Sequence, residues 1–317
     1  MIQTHGENQT MKTRFLRAAA GFALAAALAL PASVQAHRMW MMPSATVLSG
    51  EDPWVTVDAA VSNDLFYFEH QPVRLDNLKA WAPDGTEVKV ENASTGRFRS
   101  VFDLHLTQKG TYKIAMVSNN VMGSYVLNGK QERLPRGTTP ETLAKAIPAG
   151  ATDVQTAESS SRNEIYVTSG APTTTVFAPT GKGIELVPVT HPNDLVAGEA
   201  ATFQFLLDGK PAAGLTVTAI PGGIRYRDAL GQMDLKTGAD GKVTITWPEA
   251  GMYWLNATTG GGREGGPGGP GEGGPGAGGP NAGRPAPGAG AQGAPPRPAG
   301  PPQRRSNYVT TLEVLAL

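Results

Sequence analysis

Cysteine is absent from all 317 residues. Disulfides, thiolate zinc centres and a cysteine nucleophile are therefore excluded, and stability must come from hydrophobic burial. After residue 30 no apolar run approaches the roughly 18 residues that a membrane-spanning helix requires. No charge of one sign dominates either. The formal net charge is +0. Setting aside Lys12, Arg14, Arg17 and Glu7 of the leader leaves 24 basic residues against 26 acidic ones. Such a balance carries no electrostatic footprint for nucleic acid or an anionic membrane surface. Also missing are a Gly-x-Ser-x-Gly elbow, a His-Glu-x-x-His helix, a P-loop and a dinucleotide fingerprint. No pair of carboxylates is singled out as acid and base. The sequence supports no enzymatic assignment.

What the chain does carry begins with an export signal. Lys12, Arg14 and Arg17 precede the apolar run from Ala18 to Leu30, and Pro31 leads into Val34-Gln35-Ala36. That small-x-small pattern predicts cleavage between Ala36 and His37, with residues 1–36 as a signal peptide and Met11 as an alternative start. The leader holds no cysteine for a lipoprotein anchor. A released periplasmic protein without a transmembrane anchor is expected. Its first residue would be His37, which offers a free α-amine and an imidazole on one residue.

Beyond the leader, short alternating segments between turn residues predict antiparallel β structure. Trp54 to Val61 reads as a strand. Leu78–Trp81 and Glu87–Val90 read as a hairpin around Pro83-Asp84-Gly85. Arg99–Leu106 and Tyr112–Val117 read as a second hairpin around Lys109-Gly110. One short helix is expected over Pro140–Ala146, with proline in its first turn. Ala151 to Pro172 is polar, with a possible strand over Glu164–Val167, and a domain boundary is placed near Ala171.

From Ile184 onward the rhythm is that of a second sandwich, with turns at Asp208-Gly209-Lys210-Pro211 and Thr237–Lys242. Gly260 to Arg305 is rich in glycine and proline without a strict three-residue repeat, which excludes collagen and predicts a disordered loop. Alternation resumes at Tyr308–Leu315, so the tract reads as an insertion between the last two strands of that unit. The expected architecture is all-β: two immunoglobulin- or transthyretin-like sandwiches, residues 37–170 and 171–317, the second carrying the insertion 260–305.

Several of these segments carry a family resemblance. The mature-start His37 with Trp40 and Pro43-Ser44, the run Asp208-Gly209-Lys210-Pro211-Ala212-Ala213-Gly214, Thr237–Lys242 and Glu249-Ala250-Gly251-Met252-Tyr253-Trp254 together resemble the periplasmic domain-of-unknown-function family 4198. The resemblance spans nearly the whole mature chain outside the Gly/Pro tract. Arg38 and Met39 depart from the family's usual opening, where one residue separates the histidine from tryptophan. The resemblance implies a periplasmic component associated with nickel and cobalt uptake, beside an ABC-type or TonB-dependent system.

The candidate metal ligands are His37, His70, His105 and Asp103. Imidazole nitrogen suits Ni(II), Co(II) and Cu(II), whereas Ca²⁺ would need an oxygen cage. His70 closes the aromatic segment Asn63–His70, with Asp64 and Glu69 as neighbours, and is the expected partner of His37. His105 and Asp103 share the polar face of one strand and would join the site only if that face meets the mature N-terminus. His191, before Pro192, reads as structural. Met39, Met41 and Met42 offer soft thioethers that hint at copper, against a plain core role.

Two other classes stay open. One is a metal-free envelope adaptor that binds a partner through edge strands and the Gly/Pro tract. The other is a copper-dependent oxidase of a polymer, suggested by the N-terminal histidine alone.

Overall fold

The computed structural model describes residues 37–260 and 303–317. These residues build an all-β protein from sheets packed face to face, and His37–Leu317 behaves as one compact unit. The expected signal peptide, residues 1–36, and most of the Gly/Pro tract, including its reading as a disordered loop, lie outside the described residues. The four-residue helix Leu143–Ala146 is shorter than the expected Pro140–Ala146; Pro140 stands in the turn before it.

In the N-terminal half, Arg38–Pro43 pairs antiparallel with Trp54–Ser62, which pairs in turn with Ser100–His105. Along Ser100–His105 the buried residues Ser100, Phe102 and Leu104 alternate with half-buried neighbours, as a strand with one core face requires. Facing this sheet are Leu78–Trp81, Gly110–Leu127 and Thr152–Ser169, members of a ten-stranded sheet. Val57, Phe102 and Leu104 from one side meet Tyr112, Ile114 and Ile165 from the other in a single apolar cluster.

The first expected hairpin forms, with Ala80 opposite Val88. The second does not. Ser100–His105 and Gly110–Leu127 belong to different sheets, so the Lys109-Gly110 turn crosses from one layer to the other. Alternation shows only that each strand buries one face, and both conditions are met when the strands oppose each other across a core. Gly110, at φ 127, is where the chain turns, and a Cβ there would lie 2.7 Å from Cβ of Pro83.

The polar stretch after Ala151 forms one continuous strand, Thr152–Ser169. Its backbone is paired on both sides, antiparallel with Gly110–Leu127 and parallel with Gln303–Val314. Those ladders satisfy the main chain and let Ser159, Ser160 and Ser161 stand in a strand. The strand ends at Ser169, and Gly170 adopts φ 73.

The C-terminal half packs Ile184–Pro188, Ala200–Leu207 and Lys242–Thr246 over Thr216–Pro221, Gly251–Thr258 and Gln303–Val314. Trp247, Phe203, Phe205, Tyr253 and Tyr308 fill its core. Gly251–Thr258 pairs antiparallel with Gln303–Val314, so the Gly/Pro tract interrupts a hairpin whose two arms stay in register. Gln303–Val314 also lies beside Thr152–Ser169, and one sheet therefore runs through both halves.

A third apolar cluster fills the seam between the halves. Trp40, Ala60 and Leu65 meet Ile220, Trp254 and Val309 there, with Phe66 and Phe68 packed against them. Trp254 donates its indole N–H to the Met39 carbonyl at 3.0 Å. Glu313 accepts from both the amide and the hydroxyl of Thr46, at 3.1 and 2.6 Å.

Candidate metal centre

Trp54–Ser62 is the strand that positions the site. Arg38 lies opposite its last residue, Ser62, on one flank, while Gln71 lies opposite Val61 on the other. His37 precedes Arg38 and His70 precedes Gln71, so the two histidines flank the same strand end. Their rings stack with centroids 3.7 Å apart and planes 6° from parallel. Both residues are exposed. In this arrangement the ring lone pairs run side by side, and sharing one cation requires one imidazole to turn, which exposure permits.

The loop that delivers His70 is held at many points. Glu69 accepts from the amides of Asn63 and Asp64 at 2.8 and 3.0 Å, closing the loop on itself. Phe66 and Phe68 approach Trp40 at ring separations of 5.5 and 5.7 Å. Trp40 is fully buried and donates to the Ser62 hydroxyl at 2.8 Å, and that hydroxyl donates to the Asp64 carbonyl at 2.6 Å. Arg99 lies 4.3 Å over the Phe68 ring.

His105 and Asp103 are placed elsewhere. They pair with Trp54 and Thr56, near the opposite end of the strand whose last residues adjoin His37. At about 3.3 Å per residue, Trp54 and Ser62 are on the order of 25 Å apart. The polar face carrying Asp103 and His105 thus does not reach the His37–His70 pair. His105 stacks on Trp54 at 4.3 Å and pairs with Asp52. Asp103 accepts from Thr56 at 2.6 Å and from Asn92 at 2.8 Å, and those hydrogen bonds hold its carboxyl below the usual range.

His191 occupies a structural position, as its sequence context suggests. Its Nδ1 accepts from the Asn193 amide at 3.1 Å, and its Nε2 lies 3.0 Å from the Thr111 hydroxyl and 3.2 Å from the Thr173 carbonyl. Burial lowers its pKa from the ordinary histidine value. The methionines divide between faces as strand geometry requires: Met39 and Met41 pack into the N-terminal core, Met42 against the seam. Met41 is fully buried, which makes it core filler.

Among the described residues no group of three or more His, Cys, Asp or Glu side chains converges to hold an ion. The nitrogen donors that the described side chains bring together at the strand end are therefore the two imidazoles. Gly222 and Arg225, from the distant half, also touch the Asn63–His70 loop, Gly222 at Phe66 and Arg225 at Tyr67 and Asp64, and nothing in the sequence marks either. No local pattern marks a residue that acts by contact across more than 150 positions.

No curated protein matches the chain. Escherichia coli alpha-2-macroglobulin activated by porcine elastase aligns at 10% identity and a TM-score of 0.18, over 70% of this chain and 29% of that one. The chain thus spans under a third of that protein's length. The D0–D1 domain of intimin aligns at 13% identity and a TM-score of 0.18, over 68% and 88% of the two chains. The human OSCAR ligand-binding domain aligns at 12% identity and a TM-score of 0.16, over 71% and 91%. The family model for a domain of unknown function, DUF4198, matches residues 34–261, and the chain belongs to that family.

Proposed function

We propose that the protein is an exported, periplasmic transition-metal carrier, accessory to an ABC-type or TonB-dependent uptake system and without catalytic activity of its own. The cargo is Ni(II), Co(II) or Cu(II), held by the α-amine and imidazole of His37 together with the imidazole of His70. The observation that carries this reading is the 3.7 Å approach of the two rings at one strand end. An all-nitrogen donor set suits these later divalent ions. Burial of Met41 weakens the earlier hint of a thioether Cu(I) site. Exposure of both rings favours a cargo that is taken up and released rather than a resident ion.

Calorimetric titration of each ion into protein beginning at His37 tests the reading. One equivalent should bind, and His37→Ala or His70→Ala should each weaken binding by about tenfold or more. Equal binding by parent and variants would end the metal reading in favour of the metal-free adaptor.

A further inference from the structure

Phe66 stands in the left-handed region, at φ 63. For a bulky aromatic residue this conformation is strained and persists only where surrounding contacts enforce it. The enforcing contacts come from the other half of the chain. A Cβ on Gly222 would lie 2.8 Å from Cδ2 of Phe66 and 3.2 Å from the Met252 carbonyl, so only glycine leaves room for the ring. The Arg225 guanidinium lies 3.4 Å over the Tyr67 ring, and its Nε is 3.5 Å from the Asp64 carboxylate. This turn is itself anchored. Gly222 donates to the Met252 carbonyl at 2.7 Å, and Arg227 reaches the Pro221 carbonyl at 2.7 Å and the Glu249 carboxylate at 3.2 Å.

We infer that the turn from Gly222 to Leu230 is the positioning element for His70, with Gly222 and Arg225 holding the Asn63–His70 loop so that its last imidazole lies against His37. The inference deepens the proposed metal reading and rests on it for the role of His70 as a ligand. Neither residue touches the cation. Each acts through the loop: Gly222 by admitting Phe66 to its slot, Arg225 by clamping Tyr67 and Asp64. Affinity at the histidine pair is then set by packing across the seam between the two halves.

The test reads histidine placement apart from metal. In metal-free parent protein, NMR should show the imidazole C–H resonances of His37 and His70 displaced upfield by mutual ring stacking. Gly222→Ala and Arg225→Ala should carry them toward the positions of an unstructured histidine. Cu(II) affinity should fall about tenfold or more in both. Arg225→Ala alters an exposed side chain and should keep the parent thermal midpoint, which separates positioning from unfolding. Parent-like resonances and Cu(II) affinity in both variants would overturn the inference. If the resonances move while Cu(II) binding ignores His37→Ala and His70→Ala, the turn still places His70 and the metal reading is what falls.

Discussion

At the scale of single residues, polar groups inside the protein set its response to pH and substitution. Protonating half-buried His191 charges a desolvated ring, and it also breaks the bond that Nδ1 accepts from the Asn193 amide. Its folded pKa is thus depressed below the unfolded value of about 6.5. The unfolded chain binds the proton first, and stability falls as pH drops below about 6.5 toward the lower folded value. Denaturant midpoints measured between pH 7.5 and 5 should decline, and His191→Gln should flatten that part of the profile. An equal decline in the variant would assign the effect to other groups.

A second buried group joins the two halves. Arg162 donates to Glu164 at 2.8 Å and lies 3.5 Å from Glu185. One guanidinium thus faces two carboxylates. Glu185 is further satisfied by the amide and hydroxyl of Thr180 and the amide of Gly181, each within 2.8 Å. Glu164 depends on Arg162 and on the Tyr166 hydroxyl at 2.6 Å. Burial and the neighbouring Glu164 raise the pKa of Tyr166, which keeps it a neutral donor. Tyr166→Phe removes that donor and should cost about 1–3 kcal/mol in urea unfolding. A change within error would mean that the carboxylate finds another partner.

At the scale of elements, periodicity was enough to recognise strands, since alternation of Val55, Val57 and Ala59 is a local property of the chain. Pairing was another matter. Gly251–Thr258 and Gln303–Val314 stay in register although the Gly/Pro tract separates them, because their ladder and core contacts outweigh a closure entropy that grows slowly with length. Replacing residues 261–302 with a short Gly/Ser linker should therefore preserve the fold. Each halving of the loop should add about 0.6 kcal/mol of stability, seen calorimetrically as a thermal midpoint a few degrees higher. A collapse of the midpoint would give the tract a structural part to play.

At the scale of the whole molecule, Gln303–Val314 is the strand on which both halves depend. It contributes Tyr308, Leu312 and Val314 to the C-terminal core and Val309 to the seam, and it covers one edge of Thr152–Ser169. Truncation after Gly260 should abolish cooperative unfolding in both halves, visible as a loss of near-ultraviolet dichroism and of protease resistance. A protected fragment spanning 37–170 would show instead that the N-terminal half stands alone.

The sequence by itself determined the class of structure and the kinds of chemistry left available. Alternation made the strands legible, the lack of cysteine removed thiolate chemistry, and the small-x-small pattern made His37 the expected first residue of an exported chain. Tertiary structure alone decided that Ser100–His105 and Gly110–Leu127 oppose each other across a core, that one sheet passes through both halves, and that His105 and Asp103 lie far from the His37–His70 pair. It also decided that Gly222 and Arg225 grip the loop ending in His70. The physical reason is one of range. Side-chain alternation and turn chemistry act over a few residues and are written locally, whereas sheet partners and loop supports follow from burying apolar faces contributed by distant segments.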